Sequence, residues 1–202
     1  PIAAAIGAGL PISEATGSMI VDIGGGTTEI AVMSLGGVVY SKSLRVAGDA
    51  MDLGIINYMR KKFNLLIGES TAEKIKKEIG TAIPTSNHVF LMKGRDIRTG
   101  TPKEISLTEE DACDALMPIL TQILNTIKEA LENTPPELSA DLVDMGLVLT
   151  GGGALLKNID KLISKDTGLP VTIADNPLEC VALGTGKALE NEELFETMLS
   201  EY

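Results

Sequence analysis

The chain has 202 residues, which is enough to bury the core of one or two domains, and its 44% hydrophobic and 22% charged residues are typical of a globular protein. Its 28 acidic and 17 basic residues give a net charge of −11, which argues against sequence-independent nucleic-acid binding because such binding needs a basic surface. No apolar run approaches the length of a bilayer span, and Cys113 and Cys180 match no metal or redox spacing, so we expect a cytoplasmic protein with two reduced, buried thiols.

The chain opens on a predicted helix. Pro1 and the alanine run after it suit a first helical turn, which glycines at 7 and 9 then close. The apolar runs that follow, with a hairpin signal at Gly36 and Gly37, predict three strands: Met19–Ile23, Glu29–Leu35 and Val38–Arg45.

Three glycines, Gly24, Gly25 and Gly26, separate the first two predicted strands. A turn with so little side-chain bulk can point successive backbone N–H groups into one concavity, which suits a phosphate group. Asp22 ends the incoming strand, where a carboxylate can hold a hydrated divalent cation beside the phosphates, and Thr27 offers a hydroxyl. A hairpin turn that binds nothing is the alternative for a bare glycine triplet. The ordered set of Asp, three Gly, two Thr and Glu favours phosphate binding.

A second helix is predicted to open at Gly48, because apolar residues follow at helical spacing: Met51, Ile55, Ile56 and Met59. The next predicted helix, Glu69–Ile79, carries Glu73, Lys76 and Lys77 on neighbouring faces. On composition alone these three side chains form exposed ion pairs that are worth a few tenths of a kcal/mol each.

Turn residues punctuate the segment Thr81–Thr108, which predicts a small antiparallel strand pair at His88–Met92 and Lys103–Leu107. His88 is the chain's single histidine and has no nearby nucleophile or ligand partner, so we predict a surface strand residue rather than a catalyst.

Thr108 and Asp111 resemble a helix N-cap arrangement and predict a long helix to about Asn133, with a kink or a restart at Pro118. A short buried strand, Leu147–Thr150, is expected after it.

A second glycine triplet, Gly151–Gly153, lies between that strand and a predicted helix over Ala154–Ile163, so its N–H groups should point out from a helix start. Its spacing does not match the dinucleotide-binding fingerprint. Three further elements are expected in order: an edge strand Val171–Ile173, a helix Leu178–Leu189 interrupted by a turn at Gly184–Gly186, and a short amphipathic helix Asn191–Tyr202.

Four segments carry a resemblance to a known family: Pro1–Leu35, Ser70–Gly80, Val148–Ile163 and Asn176–Asn191. They resemble MreB, the bacterial actin family, within the actin, DnaK-type chaperone and sugar-kinase ATPases. The resemblance implies an α/β fold, a ribonuclease-H-like actin-fold lobe in which a mixed sheet is flanked by helices. It places the larger nucleotide-binding subdomain at residues 1–56 and 109–202, and a small inserted α+β subdomain at residues 57–108.

The implied ligand is ATP or ADP with Mg²⁺. Asp22 would serve the metal, and Gly24, Gly25, Gly26 and Thr27 the phosphates. By resemblance, the helix at 69–79 lies against the ribose and adenine, and the second glycine turn covers the adenosine. The remaining implied contacts are Gly48, Glu73, Lys76, Lys77, Gly151, Gly152, Gly153, Ala154 and Leu155.

The resemblance also implies what the 202 residues do not contain. In the family, a Glu that orients the attacking water stands just before the position of Pro1, and the first phosphate loop belongs to the N-terminal lobe. We therefore expect an excised lobe with no catalytic residue of its own, whose partners are copies of itself, in a filament or homodimer, and the missing lobe. Membrane contact is expected only through elements outside the chain. Two alternatives stay open: a non-enzymatic self-associating module, engineered or split, and a lobe of a chaperone or sugar kinase.

Overall fold

The computed structural model describes residues 1–191. Within them, helices and strands follow one another in this order: α1 Ile2–Ala8, β1 Ser18–Ile23, β2 Thr28–Ser34, β3 Gly37–Leu44, α2 Gly48–Phe63, β4 Leu65–Leu66, α3 Glu69–Ile79, β5 Val89–Asp96, β6 Pro102–Thr108, α4 Glu109–Glu132, α5 Pro136–Met145, β7 Leu147–Thr150, a 3₁₀ turn Gly152–Leu155, α6 Ile159–Thr167, β8 Val171–Ile173 and α7 Cys180–Glu190.

A five-stranded mixed sheet forms the centre of the molecule, in the order β3-β2-β1-β7-β8. The strand β1 is antiparallel to β2 and parallel to β7, which is in turn parallel to β8. Because β1 is covered on both faces, it is apolar at successive positions: Met19, Val21 and Ile23 pack into the core on one side, and Ile20 packs on the other. This confirms the predicted α/β fold with a mixed sheet flanked by helices.

On one face of the sheet, α1 and α7 pack at unusually short range. A Cβ atom at Gly184 would lie 1.7 Å from the carbonyl oxygen of Ala3, and one at Gly7 would lie 1.8 Å from the carbonyl oxygen of Cys180. The predicted turn at Gly184–Gly186 is wrong, since α7 continues through it. Gly184 serves helix contact rather than helix termination.

On the other face, the long helix α4 packs beside α2. It begins with the predicted cap, in which the Asp111 N–H donates to Thr108 Oγ1 (3.2 Å) and the Thr108 N–H donates to Asp111 Oδ2 (3.0 Å). The helix runs without a break past Pro118, so the restart is wrong, and the kink that was its alternative stays a prediction. Leu116 and Leu120, on either side of the proline, are buried in the core and hold the helix in place.

The segment between α2 and α4 forms a second, three-stranded sheet in the order β4-β5-β6. The predicted strand pair is present, and the two-residue strand β4, which the sequence analysis missed, joins its edge. The hydrophobic core is continuous between both sheets, and α2 runs unbroken across residues 56 and 57. The division at these residues stays a prediction.

Two further differences concern helices. The helix α5 was not predicted, and the predicted helix over Ala154–Ile163 is wrong: a 3₁₀ turn ends at Leu155, and α6 begins only at Ile159. An extended Leu156 and a left-handed Asn158 (φ 61°) separate the two. The predicted terminal helix, apart from its first residue, lies outside the described residues. No helix among residues 1–191 is long and apolar enough to cross a membrane.

Candidate functional site

The two glycine turns lie side by side. They follow β1 and β7, which are adjacent parallel strands with Asp22 opposite Thr150 in the register. The carboxyl ends of neighbouring parallel strands are the usual position of ligand sites in α/β sheets. The sheet therefore brings together two motifs that are far apart in the sequence.

A cleft of about 960 Å³ opens between these turns, the start of α2 and the helix α3. Eleven of the predicted site residues line it: Asp22, Gly24, Gly25, Gly48, Glu73, Lys76, Lys77, Gly151, Gly152, Gly153 and Leu155. Gly26 and Thr27 lie at the exposed hairpin tip, outside this lining. Ala154 is fully buried in the core and does not reach the cleft.

Two glycines of the first turn, Gly25 and Gly26, are not required by the fold itself, whereas a Cβ atom at Gly24 would lie 3.3 Å from the Thr27 carbonyl oxygen. Neither Gly25 nor Gly26 has positive φ. A Cβ atom would lie 3.5 Å from Asp49 Oδ1 at Gly25 and 3.9 Å from Asp49 Oδ2 at Gly26, both ordinary contact distances. Absence of side chains at such a turn permits close approach of a ligand to the backbone.

The second turn is different. Gly151 has φ +80°, and a Cβ atom there would lie 2.5 Å from Asp22 Oδ1, while one at Gly153 would lie 2.2 Å from Ile23 Cγ2. These two glycines are therefore needed for the packing of the turn after β7 against the end of β1, whether or not a ligand is bound. Gly152 has no positive φ, and its nearest neighbour is the flexible side chain of Leu178 at 3.2 Å.

Asp22 lies half-buried at the end of β1, and burial raises the pKa of its carboxyl group. The Thr150 hydroxyl lies near enough to oppose this rise in pKa but does not meet hydrogen-bond geometry. Among residues 1–191 there is no group of three or more His, Cys, Asp or Glu side chains placed to hold a metal ion. A single carboxylate nevertheless fits Mg²⁺, which keeps several waters and is commonly bound through one or two carboxylates and the phosphates of a substrate.

Lys76 is tied to α2 by two hydrogen bonds. Its Nζ donates to Asp52 Oδ2 (2.9 Å) and to the carbonyl oxygen of Gly48 (3.0 Å). The start of α2 is itself tied to the first glycine turn, because the Gly48 N–H donates to Gly24 O (3.1 Å) and the N–H of the next residue donates to Gly25 O (2.8 Å).

Glu73 and Lys77 form the ion pair expected from their i,i+4 spacing, at 2.6 Å. The pair is exposed on the rim of the cleft, and each member shifts the pKa of the other: Lys77 lowers the pKa of Glu73, and Glu73 raises that of Lys77. Glu73 and Lys77 can therefore form this ion pair and still contact a ligand in the cleft.

Sequence reasoning missed several lining residues, notably Asp49, Asp52, Leu178 and Val181. Asp52 could have been found from its position one helical turn after Gly48. Leu178 and Val181 are 70% and 48% exposed and, with Leu155 (58%), form an apolar wall at one end of the cleft. No local sequence signal marks them, because they reach the cleft only through the fold.

Comparisons with known proteins agree with this architecture. A profile of the MreB/Mbl protein family matches residues 1–197. The cell shape-determining protein MreB of Escherichia coli K12 is 56% identical over 191 residues, which are 94% of this chain and 55% of the relative. The cell shape-determining protein Mbl of Bacillus subtilis is 47% identical over 192 residues, covering 95% of this chain and 58% of the relative.

Solved structures give the same result. The crystal structure of MreB 5 of Spiroplasma citri bound to AMPPNP matches with a TM-score of 0.91 at 39% identity, covering 100% of this chain and 60% of that one. The MamK double helical filament, at 22% identity and a TM-score of 0.78, covers 95% of this chain and 58% of that one and shares the fold alone.

The chain thus spans 55–60% of the length of these relatives. The family profile favours the bacterial actins over the chaperone and sugar-kinase alternatives. The fold and the two glycine turns agree with this result, and the chain belongs to the MreB/Mbl family of bacterial actins.

Proposed function

We propose that the cleft binds ATP or ADP together with Mg²⁺. The observation that carries the proposal is the first glycine turn: Gly25 has no conformational or packing need for glycine, yet it lines the cleft together with Asp22. Two crystal structures of the Spiroplasma citri relative, bound to AMPPNP and to ADP, support the same ligand class.

In this proposal the phosphates lie against the N–H groups of the Gly24–Thr27 turn. Asp22 holds Mg²⁺, which would neutralise phosphate charge in a strongly acidic protein. The nucleoside lies between the α3 side chains Glu73, Lys76 and Lys77 and the apolar wall formed by Leu155, Leu178 and Val181. An apolar wall suits the face of a base, while the α3 side chains suit hydroxyl groups.

The wider proposal is that the chain is the nucleotide-binding half of a cytoplasmic, filament-forming ATPase that serves cell shape. Support comes from the relatives named as cell shape-determining proteins. Two free, buried cysteines, Cys113 and Cys180, agree with a reducing compartment. We assign no catalytic residue within the chain, and contacts with a second lobe or a membrane belong to this proposal rather than to the described fold.

Calorimetric titration with ATP and ADP, in Mg²⁺ and in EDTA, tests nucleotide binding. We expect Gly25→Ala to weaken binding while the melting temperature stays unchanged, because the fold tolerates a Cβ there. Gly186→Ala is the matched control, since Gly186 lies in α7 with nothing within 4 Å of its Cβ position. Absence of binding by the wild-type chain at millimolar nucleotide would contradict the proposal.

A second candidate, a non-enzymatic self-associating module, is favoured by one observation: the apolar wall of Leu155, Leu178 and Val181 is exposed. Reburial of apolar surface is worth roughly 25 cal/mol per Å², so a few hundred Å² can drive association. The interface would involve the two glycine turns or α1. Sedimentation velocity with and without Mg-ATP measures whether nucleotide changes the degree of association. Association that Mg-ATP reverses would show that nucleotide and self-association use the same cleft, whereas association that Mg-ATP does not change would favour the self-associating module.

A further inference from the structure

The ion pair between Asp52 and Lys76 occupies a distinct position in the cleft. Asp52 is on α2 and Lys76 on α3, so the pair joins the two helices that form adjoining parts of the lining. The two side chains are only 15% and 18% exposed. An ion pair so shielded from water is less screened than one on the surface, and its geometry is correspondingly better fixed.

The pair continues into the phosphate turn. Lys76 Nζ also donates to Gly48 O, and the backbone N–H groups at the start of α2 donate to Gly24 O and Gly25 O. A continuous series of polar contacts therefore runs from Asp52 through Lys76 and Gly48 to the first glycine turn. These contacts join α3 to that turn.

The competing partners of Lys76 are occupied elsewhere. Glu73, one turn earlier on α3, pairs with Lys77 at 2.6 Å. Asp52 has Lys76 as its partner through Oδ2, while its Oδ1 is shielded from solvent and has no hydrogen-bond partner among residues 1–191. A buried carboxylate with one partner constrains that partner strongly, because separation would leave the charge uncompensated.

From this geometry we propose that Asp52 is a positioning residue for nucleotide binding. It holds the Lys76 ammonium at the Gly48 carbonyl and thereby fixes the α3 wall at the distance from the glycine turn that a nucleoside polyphosphate spans. Asp52 acts through Lys76. The inference rests on the proposed function, because the ligand class that bridges the two walls is the one proposed there.

The consequence is selective. A ligand that reaches both walls, such as ATP, depends on the spacing that Asp52 sets, whereas tripolyphosphate occupies the glycine turn alone. Asp52→Asn keeps the side-chain shape but removes the charge that orients Lys76. We expect a roughly tenfold rise in the Kd for Mg-ATP, equivalent to about 1.4 kcal/mol, and little change in the Kd for Mg-tripolyphosphate.

The experiment is a double-mutant cycle measured by calorimetry with Mg-ATP on the wild-type chain, Asp52→Asn, Lys76→Met and the double variant. If Asp52 acts through Lys76, Asp52→Asn has no further effect on the Kd in the Lys76→Met background. The double variant removes both charges and so leaves neither one buried alone. Asp166→Asn is the matched control: it breaks another interhelical Asp–Lys pair, Asp166–Lys128 at 2.8 Å, in residues that do not line the cleft.

Four outcomes overturn the inference. Wild-type affinity in Asp52→Asn would show that the spacing does not depend on this carboxylate. Additive losses of affinity in the cycle would show that Asp52 does not act through Lys76. A loss of ATP affinity that is explained by the fall in melting temperature would show a purely structural role. Absence of Mg-ATP binding by the wild-type chain itself would overturn the proposed function and this inference with it, whereas the other three outcomes leave the proposed function standing.

Discussion

Glu109 allows a test of the structure that is independent of any ligand. It is the first residue of α4 and only 2% exposed. Its carboxylate accepts hydrogen bonds from the N–H groups of Thr85 and Ser86 (both 2.9 Å), from Ser86 Oγ (2.8 Å) and from Lys157 Nζ. Three separate segments, the loop before β5, the start of α4 and the end of the second glycine turn, thus meet at one side chain.

The magnitude follows from the charge of these bonds. Lys157, and after it the Thr85 N–H, lower the pKa of Glu109 from 4.5 to about 2. Hydrogen bonds to a charged group contribute about 1.5–3 kcal/mol, and a glutamine amide replaces one acceptor oxygen by donors that face donors. We therefore expect Glu109→Gln to lower the free energy of unfolding by about 2–3 kcal/mol at pH 7, which is roughly 5–10 °C in melting temperature for a chain of this size.

The pH dependence has a definite sign. Because the pKa of Glu109 is lower in the folded than in the unfolded state, its stabilisation is fully present above about pH 4.5 and is lost as the pH falls towards 2. The deficit of Glu109→Gln should therefore be large at pH 7 and reduced by about half near pH 3. Thermal unfolding followed by circular dichroism measures both, with Glu110→Gln, an exposed neighbour in the same helical turn, as the control. An equal deficit at the two pH values would refute this reasoning.

Three other predictions concern the cleft and the helix pair behind the sheet. Gly152→Val should raise the Kd for Mg-ATP at least tenfold, roughly 1.4 kcal/mol. Little loss of melting temperature is expected, because the backbone is unstrained and only the flexible Leu178 side chain must move. Equal losses of affinity and stability would indicate a structural role. Asp22→Asn should remove the Mg²⁺ dependence of ATP binding in calorimetry without destabilising the chain, since burial already disfavours the carboxylate; a retained Mg²⁺ dependence would place the metal elsewhere. Gly184→Ala should lower the free energy of unfolding, measured by chemical denaturation, by about 1–3 kcal/mol or more, because its Cβ would overlap the α1 backbone. Gly186→Ala should leave the free energy of unfolding unchanged or raise it. Similar effects from both variants would contradict the close helix contact.

The sequence determined those elements whose signals are local. The helix α3 and the strands β7 and β8 were predicted with their observed bounds, and β1–β3 to within one residue. The cap at Thr108 and Asp111 was equally readable, because both hydrogen bonds join residues three positions apart. Hydrophobic periodicity, turn residues and capping residues are sufficient to predict a helix or strand where no distant contact determines its bounds.

Elements decided by distant contacts were not readable. Gly184 looks like a turn signal, but its neighbour in space is Ala3, at the other end of the chain. Pro118 looks like a helix break, but buried leucines on both sides hold α4 together. In both cases tertiary packing overrides a local preference. The position of Asp52 one helical turn after Gly48 indicates a place near the cleft, but its pairing with Lys76 of another helix is not readable from the sequence.

The glycines of the cleft have two possible causes, the requirements of the fold and the requirements of a ligand, and only the structure distinguishes them. Both triplets have the same composition, and both contribute to the cleft lining, yet Gly151 is fixed by its positive φ and its contact with Asp22, and Gly153 by its contact with Ile23. Their presence would be required even if nothing bound. Gly25 has neither constraint, so neither its backbone conformation nor its packing requires a glycine there. A bare turn beside a half-buried carboxylate, at the carboxyl end of a central strand, agrees with the phosphate binding that we propose for it.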